Sequence, residues 1–406
     1  MSLPQLPLRA GREKSLSAGH PWLFSGAFAK PVPSALHGAA VAVTDGDGTI
    51  RATGSASAKG SIAVRIFARG EATLDQAFIA ARLFEARGRR ILAGLVPGPD
   101  AGYRLCFGEA DGLPGLIVDV YADVAVFQSA TTFFDLRREL VVGALRDLLG
   151  PRAIVEKSSS PSRKEEGLSP LPPALRHGAD PGLVPFVENG VTYVADPMKG
   201  QKTGFFLDQR PLRELVRRYA KGRSVLNVFS YSGALGAAAM AGGATGVTNV
   251  DASAEALHLC EVTAQKNVIE ATRFLTVKQD AFTFLGAPGE AFNMVIVDPP
   301  ALIKSKKETD AGKKGYHFLN RAALRRVAEG GVFVTSSCSQ HLSRDEFMAI
   351  LARASLQAGK RLHYLGEAPQ PADHPAPPWF PEGGYLKGFV YLVTGEAAST
   401  LHPEED

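Results

Sequence analysis

Apolar and polar positions follow two different rhythms along this chain. Beyond about residue 220, short apolar runs alternate with stretches of helical period. The runs Val225–Phe229, Gly246–Val250, Phe274–Val277, Phe292–Val297, Gly331–Thr335, Arg361–Leu365 and Lys387–Val393 predict seven strands. Ser253–Asn267, Phe318–Ala328 and Ser343–Ala358 predict helices between them. A proline-rich loop (Pro369, Pro371, Pro375, Pro377, Pro378) and no helix separates the last two strands, so they should pair antiparallel. Alternation of this kind builds a doubly wound α/β sheet.

The first 70 residues lack helical period. Ala39–Thr44 and Ser61–Phe67 predict strands around the turn Asp45-Gly46-Asp47-Gly48, as in a small β-barrel. A helix follows at Leu74–Leu92, with Ala77, Phe78, Ala81, Phe84 and Ile91 on its apolar face. Leu116–Val120 and Val124–Ser129 predict a hairpin, Leu136–Leu149 a helix and Ala153–Lys157 a further strand. Ser158–Pro185, rich in Ser, Pro and charge, reads as a long loop. Three domains are therefore expected: a β-barrel at 1–72, an α+β connector at 73–190 and an α/β domain at 191–406. Six parallel strands with one antiparallel insertion in the third is the arrangement of class I methyltransferases rather than of dehydrogenases.

Charge sharpens this picture. Residues 1–70 carry eight Lys and Arg against three Asp and Glu, a net of +5 in a chain of +4, so the remainder is close to neutral. A small basic module on a near-neutral body fits RNA phosphates. Cys106, Cys260 and Cys338 are too few and too scattered for a disulfide framework or a zinc pattern, which points to a reducing cytoplasm. No signal peptide or spanning segment is expected, and no membrane partner.

Candidate chemistry gathers at the predicted strand ends, where open α/β sheets bind ligands. The loop from Asn227 through Phe229, Ser232 and Gly233 to Gly236 joins the first strand to a helix with small residues that let a ligand approach. Asp251, followed by Ala252, is placed to accept ribose hydroxyls, and Asp280, followed by Ala281, to accept an adenine amino group. Together these predict an S-adenosylmethionine site. Upstream, Gly200–Arg210 reads as a lid over the donor, with Phe205 or Phe206 against adenine, Lys202 or Arg210 toward phosphate, and Asp208 among the donor-binding candidates.

Asp298-Pro299-Pro300 ends the fourth strand, and Thr335-Ser336-Ser337-Cys338-Ser339 ends the fifth. A thiolate adding to C6 of cytosine makes C5 nucleophilic enough to take a methyl group. Cys338 is the candidate nucleophile, and Asp298 its partner on the base. Cys260, in line with Leu257 and Ala264, reads as core, and Cys106 sits in an apolar strand. An inserted antiparallel strand would begin at Lys387, close enough to Cys338 to depress its pKa, or to meet a phosphate. The lysine-rich stretch Lys304–Lys314 is expected to be mobile and to close on RNA.

These segments, with Gly19–Gly26, Asp111–Leu116, Asp373-His374-Pro375 and Pro381–Phe389, resemble the bacterial 23S rRNA cytosine-5 methyltransferases that carry an N-terminal PUA domain. The resemblance spans nearly the whole chain. It implies a PUA RNA-binding domain, a central domain and a Rossmann-like catalytic domain, RNA as substrate, frequent homodimers, and Cys338 as the covalent link to cytosine. Many RNA cytosine-5 enzymes carry a second cysteine after their Asp-Pro turn; here Pro300 and Ala301 follow, so another group must take the C5 proton, with His374 as a candidate. The competing readings are a base-nitrogen methyltransferase using Asp298-Pro299-Pro300 without a thiol, and a non-catalytic RNA-binding assembly factor.

Overall fold

A computed structural model describes residues 2–395. The described residues form two compact units: 2–188, 195–207 and 372–383 in one, 189–194, 208–371 and 384–395 in the other.

The first unit holds two five-stranded sheets, each with its own core. One is built from Gln5–Pro7, Trp22–Phe24, Ala40–Thr44, Ile50–Ala56 and Ile62–Arg69 around Leu23, Val41, Val43 and Val64. The other contains Gly102–Phe107, the hairpin Leu116–Tyr121 and Val124–Ser129, Ala153–Glu156 and Ala174–Gly178, packed with the helices Gln76–Leu92 and Arg138–Leu149.

Two expectations fail here for physical reasons. The helix Gln76–Leu92 buries Ile79, Leu83, Ala86 and Arg90, whereas Phe84 and Ile91 of the expected face are exposed. The true stripe keeps helical period but contains an arginine, which composition counts as polar. Arg90 is 1% exposed because its guanidinium grips Asp111 through both oxygens, at 2.7 and 2.6 Å. The stretch Ser158–Pro185 is also more structured than a loop. Arg163, buried, donates to Ser129 O, Asp135 Oδ1 and Ser169 O. Beyond it, Ala174–Gly178 pairs antiparallel with Ala153–Glu156.

The second unit carries the seven-stranded sheet: β1 Ser224–Val228, β2 Gly246–Asp251, β3 Phe274–Lys278, β4 Phe292–Val297, β5 Val327–Ser337, β6 Lys360–Ala368 and β7 Lys387–Gly395. Their order is β3-β2-β1-β4-β5-β7-β6. Neighbours from β3 to β5 are parallel, and β7 runs antiparallel between β5 and β6. This is the six-plus-one sheet that the alternation predicts. Its central strands are largely apolar because both faces are covered, and the cluster around Val295, Val297, Phe333 and Phe389 is fully buried, whereas the edge strand β6 is mostly uncovered.

Two boundaries matter for the site. β5 runs to Ser337 rather than Thr335, so Ser336 and Ser337 are still held by the ladder. The helix expected at Phe318–Ala328 is Thr309–Leu324, and Lys306–Glu308 forms a short turn before it. Much of the supposed mobile lysine stretch is therefore helical, with Lys313 paired to Glu346 at 2.7 Å.

Candidate active site

Strand register brings the acid and thiol segments together. Val297 on β4 pairs with Thr335 on β5, which sets Asp298 level with Ser336 one residue further on. The Ser336 hydroxyl donates to Asp298 Oδ1, and Gln209 Nε2 donates to the same oxygen at 2.7 Å. Two donors from separate elements thus hold this carboxyl group at the carboxyl edge of the sheet. Pro299 beside it is buried and Pro300 exposed.

Cys338 follows β5 directly and is half-buried. Cys106 and Cys260 are wholly buried, and that burial pushes both thiols up. Only Cys338 among the three is placed to meet a substrate.

Lys387 faces Ser337 across the β5–β7 ladder. Its Nζ donates to Ser339 O and Leu342 O, both at 2.7 Å, and the residue is 9% exposed. Burial lowers its pKa to about 8, while Cys338 and then Glu346 oppose that shift. The lysine therefore lies within electrostatic reach of Cys338, as its position at the strand start predicts. The alternative role toward a phosphate fails, because the ammonium is buried and turned onto carbonyl oxygens.

A hydroxyl cluster beneath these groups carried no signal in the sequence beyond the serine-rich strand end. Tyr316, fully buried, shares its OH with Ser339 Oγ at 2.8 Å and accepts from Ser337 Oγ at 3.0 Å. Ser339 Oγ also accepts from Ile303 N at 3.1 Å. The segment after Asp298 is thereby tied to the segment that bears Cys338. Burial raises the Tyr316 pKa, so the hydroxyl keeps its proton and its donor role.

The loop after β1 has an unusual backbone. Phe229 and Tyr231 adopt φ of 60° and 47°, and Gly233 follows at 69°. At Gly233 a Cβ would run into Cys260 Sγ, so only glycine starts the helix Ala234–Ala241 here. Asp251, half-buried at the end of β2, pins the loop by accepting Tyr231 N and Ser253 N, each at 2.9 Å. Ser230 is 6% exposed and its Oγ has no protein partner among the described residues. An orphaned buried hydroxyl beside a part-exposed carboxylate fits a polar ligand such as S-adenosylmethionine. Nothing in the sequence sets Ser230 apart from its neighbours in this loop.

The other donor-site candidates divide. Ala252 and Asp280 are exposed at their strand ends; Asp280 Oδ1 also caps the following helix through Thr283 N at 2.9 Å. Phe229 is part-buried with Phe282 edge-on at 6.3 Å, and Ser232 is buried in the loop. Three further candidates are buried in the protein. Asn227 is fully buried and donates to Asn249 Oδ1 at 2.9 Å, bracing β1 against β2. Ala281 joins the core. Asp208 is 2% exposed and accepts the Tyr385 hydroxyl at 2.6 Å.

Lys202, Phe205 and His374 belong to the first unit. Lys202 is exposed, with Nζ 4.3 Å from the Phe206 ring centroid. Phe205 is 1% exposed against Phe186, which withdraws it as an adenine-stacking face. His374, also 1% exposed, binds Asp373 Oδ1 through Nδ1 at 2.8 Å, and buried this way it presents no open face to a base. Arg210 begins the helix Arg210–Tyr219 of the second unit and is half-buried.

Comparison with known proteins adds what geometry cannot. Residues 179–377 match the S-adenosylmethionine-dependent methyltransferase family, and residues 6–69 match a PUA-like domain. Ribosomal RNA large subunit methyltransferase I of Klebsiella pneumoniae is 36% identical over 395 residues, covering 96% of this chain and 98% of that protein. Its counterpart in Yersinia pestis is 37% identical over 394 residues, covering 96% and 99%. The crystal structure of SMU.776 complexed with SAH superposes with a TM-score of 0.81 over 96% of this chain and all of that one; at 23% identity it shares the fold.

Proposed function

Since this chain belongs to the S-adenosylmethionine-dependent methyltransferase family of its ribosomal RNA large subunit methyltransferase I relatives, we propose that it forms 5-methylcytosine in large-subunit ribosomal RNA through a Cys338–C6 adduct. The observation that carries this reading is the sheet edge itself. A half-buried thiol follows β5, a carboxyl fixed by two donors follows β4, and a buried lysine faces Ser337, one residue before the thiol.

S-adenosylmethionine supplies an electrophilic methyl group, with Ser230, Asp251 and Asp280 as the polar groups placed to hold it. Lys387, still largely protonated at neutral pH, favours the thiolate of Cys338. The Cys338 sulfur forms a bond to C6 of the base, and the C5=C6 electron pair shifts toward C5 and the N3 side of the ring. Asp298 stabilises that ring by hydrogen bonding at N3 or the exocyclic amine. Once C5 carries the methyl group, loss of its proton to a base regenerates the double bond and expels the Cys338 thiolate.

The basic residues 1–70 serve as the RNA grip in this scheme, and the enzyme works in the cytoplasm where ribosomes assemble. No described helix is long and apolar enough to cross a membrane.

RNA carrying 5-fluorocytosine tests the chemistry directly, because fluorine at C5 blocks the final elimination. Wild-type enzyme should give a covalent complex stable to denaturation, and Cys338→Ala none. Methylation by Cys338→Ala at near wild-type rate would exclude the covalent route and favour a base-nitrogen acceptor.

A further inference from the structure

Gln209 occupies the N-cap position of the helix Arg210–Tyr219, where a short Ser, Thr, Asp or Asn side chain usually folds back onto the first backbone N–H groups. It makes no such bond. Its side chain, 5% exposed, reaches across to donate Nε2–H to Asp298 Oδ1 at 2.7 Å. The amide thus turns its nitrogen to the Asp298 oxygen and its own oxygen away. That oxygen, Oε1, is buried and has no protein partner among the described residues. A residue kept for packing or capping would not adopt this pose, since methionine fills similar space without burying an unmet acceptor.

The pose is held from the other side as well. Asp208, one residue earlier, accepts the Tyr385 hydroxyl at 2.6 Å, and Tyr385 lies just ahead of β7. The turn Leu207–Gln209 is thus fastened by Asp208 while Gln209 points at the end of β4. Ser336 supplies the second donor to the same Asp298 oxygen from β5.

We infer that Gln209 is a positioning residue for the methyl-transfer reaction, setting the rotation of the Asp298 carboxyl group toward the base. The inference rests on the reading that Asp298 acts on the base during C5 methylation. The side chain acts through Asp298 and not on the substrate.

Full-length Q209M and Q209E are compared with wild type for methyl transfer to unmodified large-subunit rRNA and for SAH binding by calorimetry. Q209M should lower kcat about 10- to 100-fold, with the SAH Kd changed less than about twofold. Q209E places a second carboxyl against Asp298, with Asp208 the other acid adjoining the turn. Protonated, it donates to Asp298 as glutamine does; ionised, it repels. Its activity relative to wild type should therefore rise about tenfold as pH falls from about 8 toward about 5, whereas Q209M relative to wild type stays flat.

Equal losses in both variants at every pH would overturn the inference, as would a kcat loss matched by loss of SAH binding. Should Q209M fail to fold, the acid-side gain of Q209E is read within one protein and decides alone. Mass spectrometry of the wild-type product separates this from its premise. An N-methylated base refutes C5 methylation whatever Gln209 does, while 5-methylcytosine with an unaffected Q209M refutes only the role of Gln209.

Discussion

Two regions of this molecule bury polar groups in opposite ways. Beside the helix Gln76–Leu92 of the first unit, two buried guanidinium groups each meet a carboxylate of matching shape. Arg90 grips Asp111 through both oxygens, and Arg104 does the same to Asp119 at 2.7 and 2.8 Å. At the sheet edge of the second unit the buried groups are held by neutral partners. Lys387 rests on two backbone carbonyls, Asp298 Oδ1 on a hydroxyl and an amide, and the oxygens Ser230 Oγ and Gln209 Oε1 have no protein partner. Charge cancelled by charge gives a closed structural joint. Charge steadied by dipoles keeps its field, and that field can act on a thiol or on a base.

The sharpest way to break the comparison is to remove the group that the open edge serves. Cys338→Ala should lower methyl transfer about 10⁴-fold or more while leaving the melting temperature nearly unchanged, checked by tritium transfer and calorimetry. In the closed region the consequences reverse. Arg90→Met leaves the buried Asp111 with the half-exposed Arg89 as its remaining cation and Phe107 N as a donor, and should cost about 3–5 kcal/mol of stability in chemical denaturation. Its folded fraction should keep the wild-type SAH affinity. Loss of that affinity in well-folded Arg90→Met would show that the ion pair is more than a joint.

The same contrast marks what the chain disclosed before folding. The sheet was legible because its central strands are short, largely apolar runs alternating with helices, and Lys387 could be brought to Cys338 by antiparallel pairing alone. Asp298 and Cys338 followed from strand ends. The first-unit helix misled, since the buried stripe contains Arg90 and the exposed face contains Phe84 and Ile91. Phe205 and His374 misled in the same direction, because residue type says nothing about which side of a turn faces inward. Tyr316 and Gln209 were not legible at all. Each acts through a contact with a segment remote in sequence, Tyr316 with Ser337 and Ser339, Gln209 with Asp298, and no local pattern encodes such a pairing.

A smaller effect probes the neutral cradle of Lys387. Because its folded pKa is lowered to about 8, the ammonium is present at neutral pH and lost as pH rises through that value. The ammonium favours the thiolate below that value, so Lys387→Met should lower kcat about 10- to 100-fold at neutral pH and recover part of that loss as rising pH ionises the thiol. Stability changes in the wild type instead. The unfolded chain holds this proton up to the ordinary lysine range, so between about pH 8 and that range wild type gains stability as pH rises. Lys387→Met should show none of that gain. Rate profiles and urea melts across this interval check both.

The smallest expected change tests whether the orphaned oxygens at the open edge belong to a ligand. Ser230 Oγ is buried without a protein partner, in a loop that Asp251 already pins through Tyr231 N. If it bonds the methyl donor, Ser230→Ala should weaken SAH binding about 2- to 10-fold, the worth of one hydrogen bond, without altering the pH profile. If it is only a defect in packing, removing an unmet hydroxyl should stabilise the fold slightly and leave SAH affinity as it was. A binding isotherm and a melt on the same sample distinguish the two. The second result would return Ser230 to the class of closed joints and leave Asp251 as the chief polar contact of the donor loop.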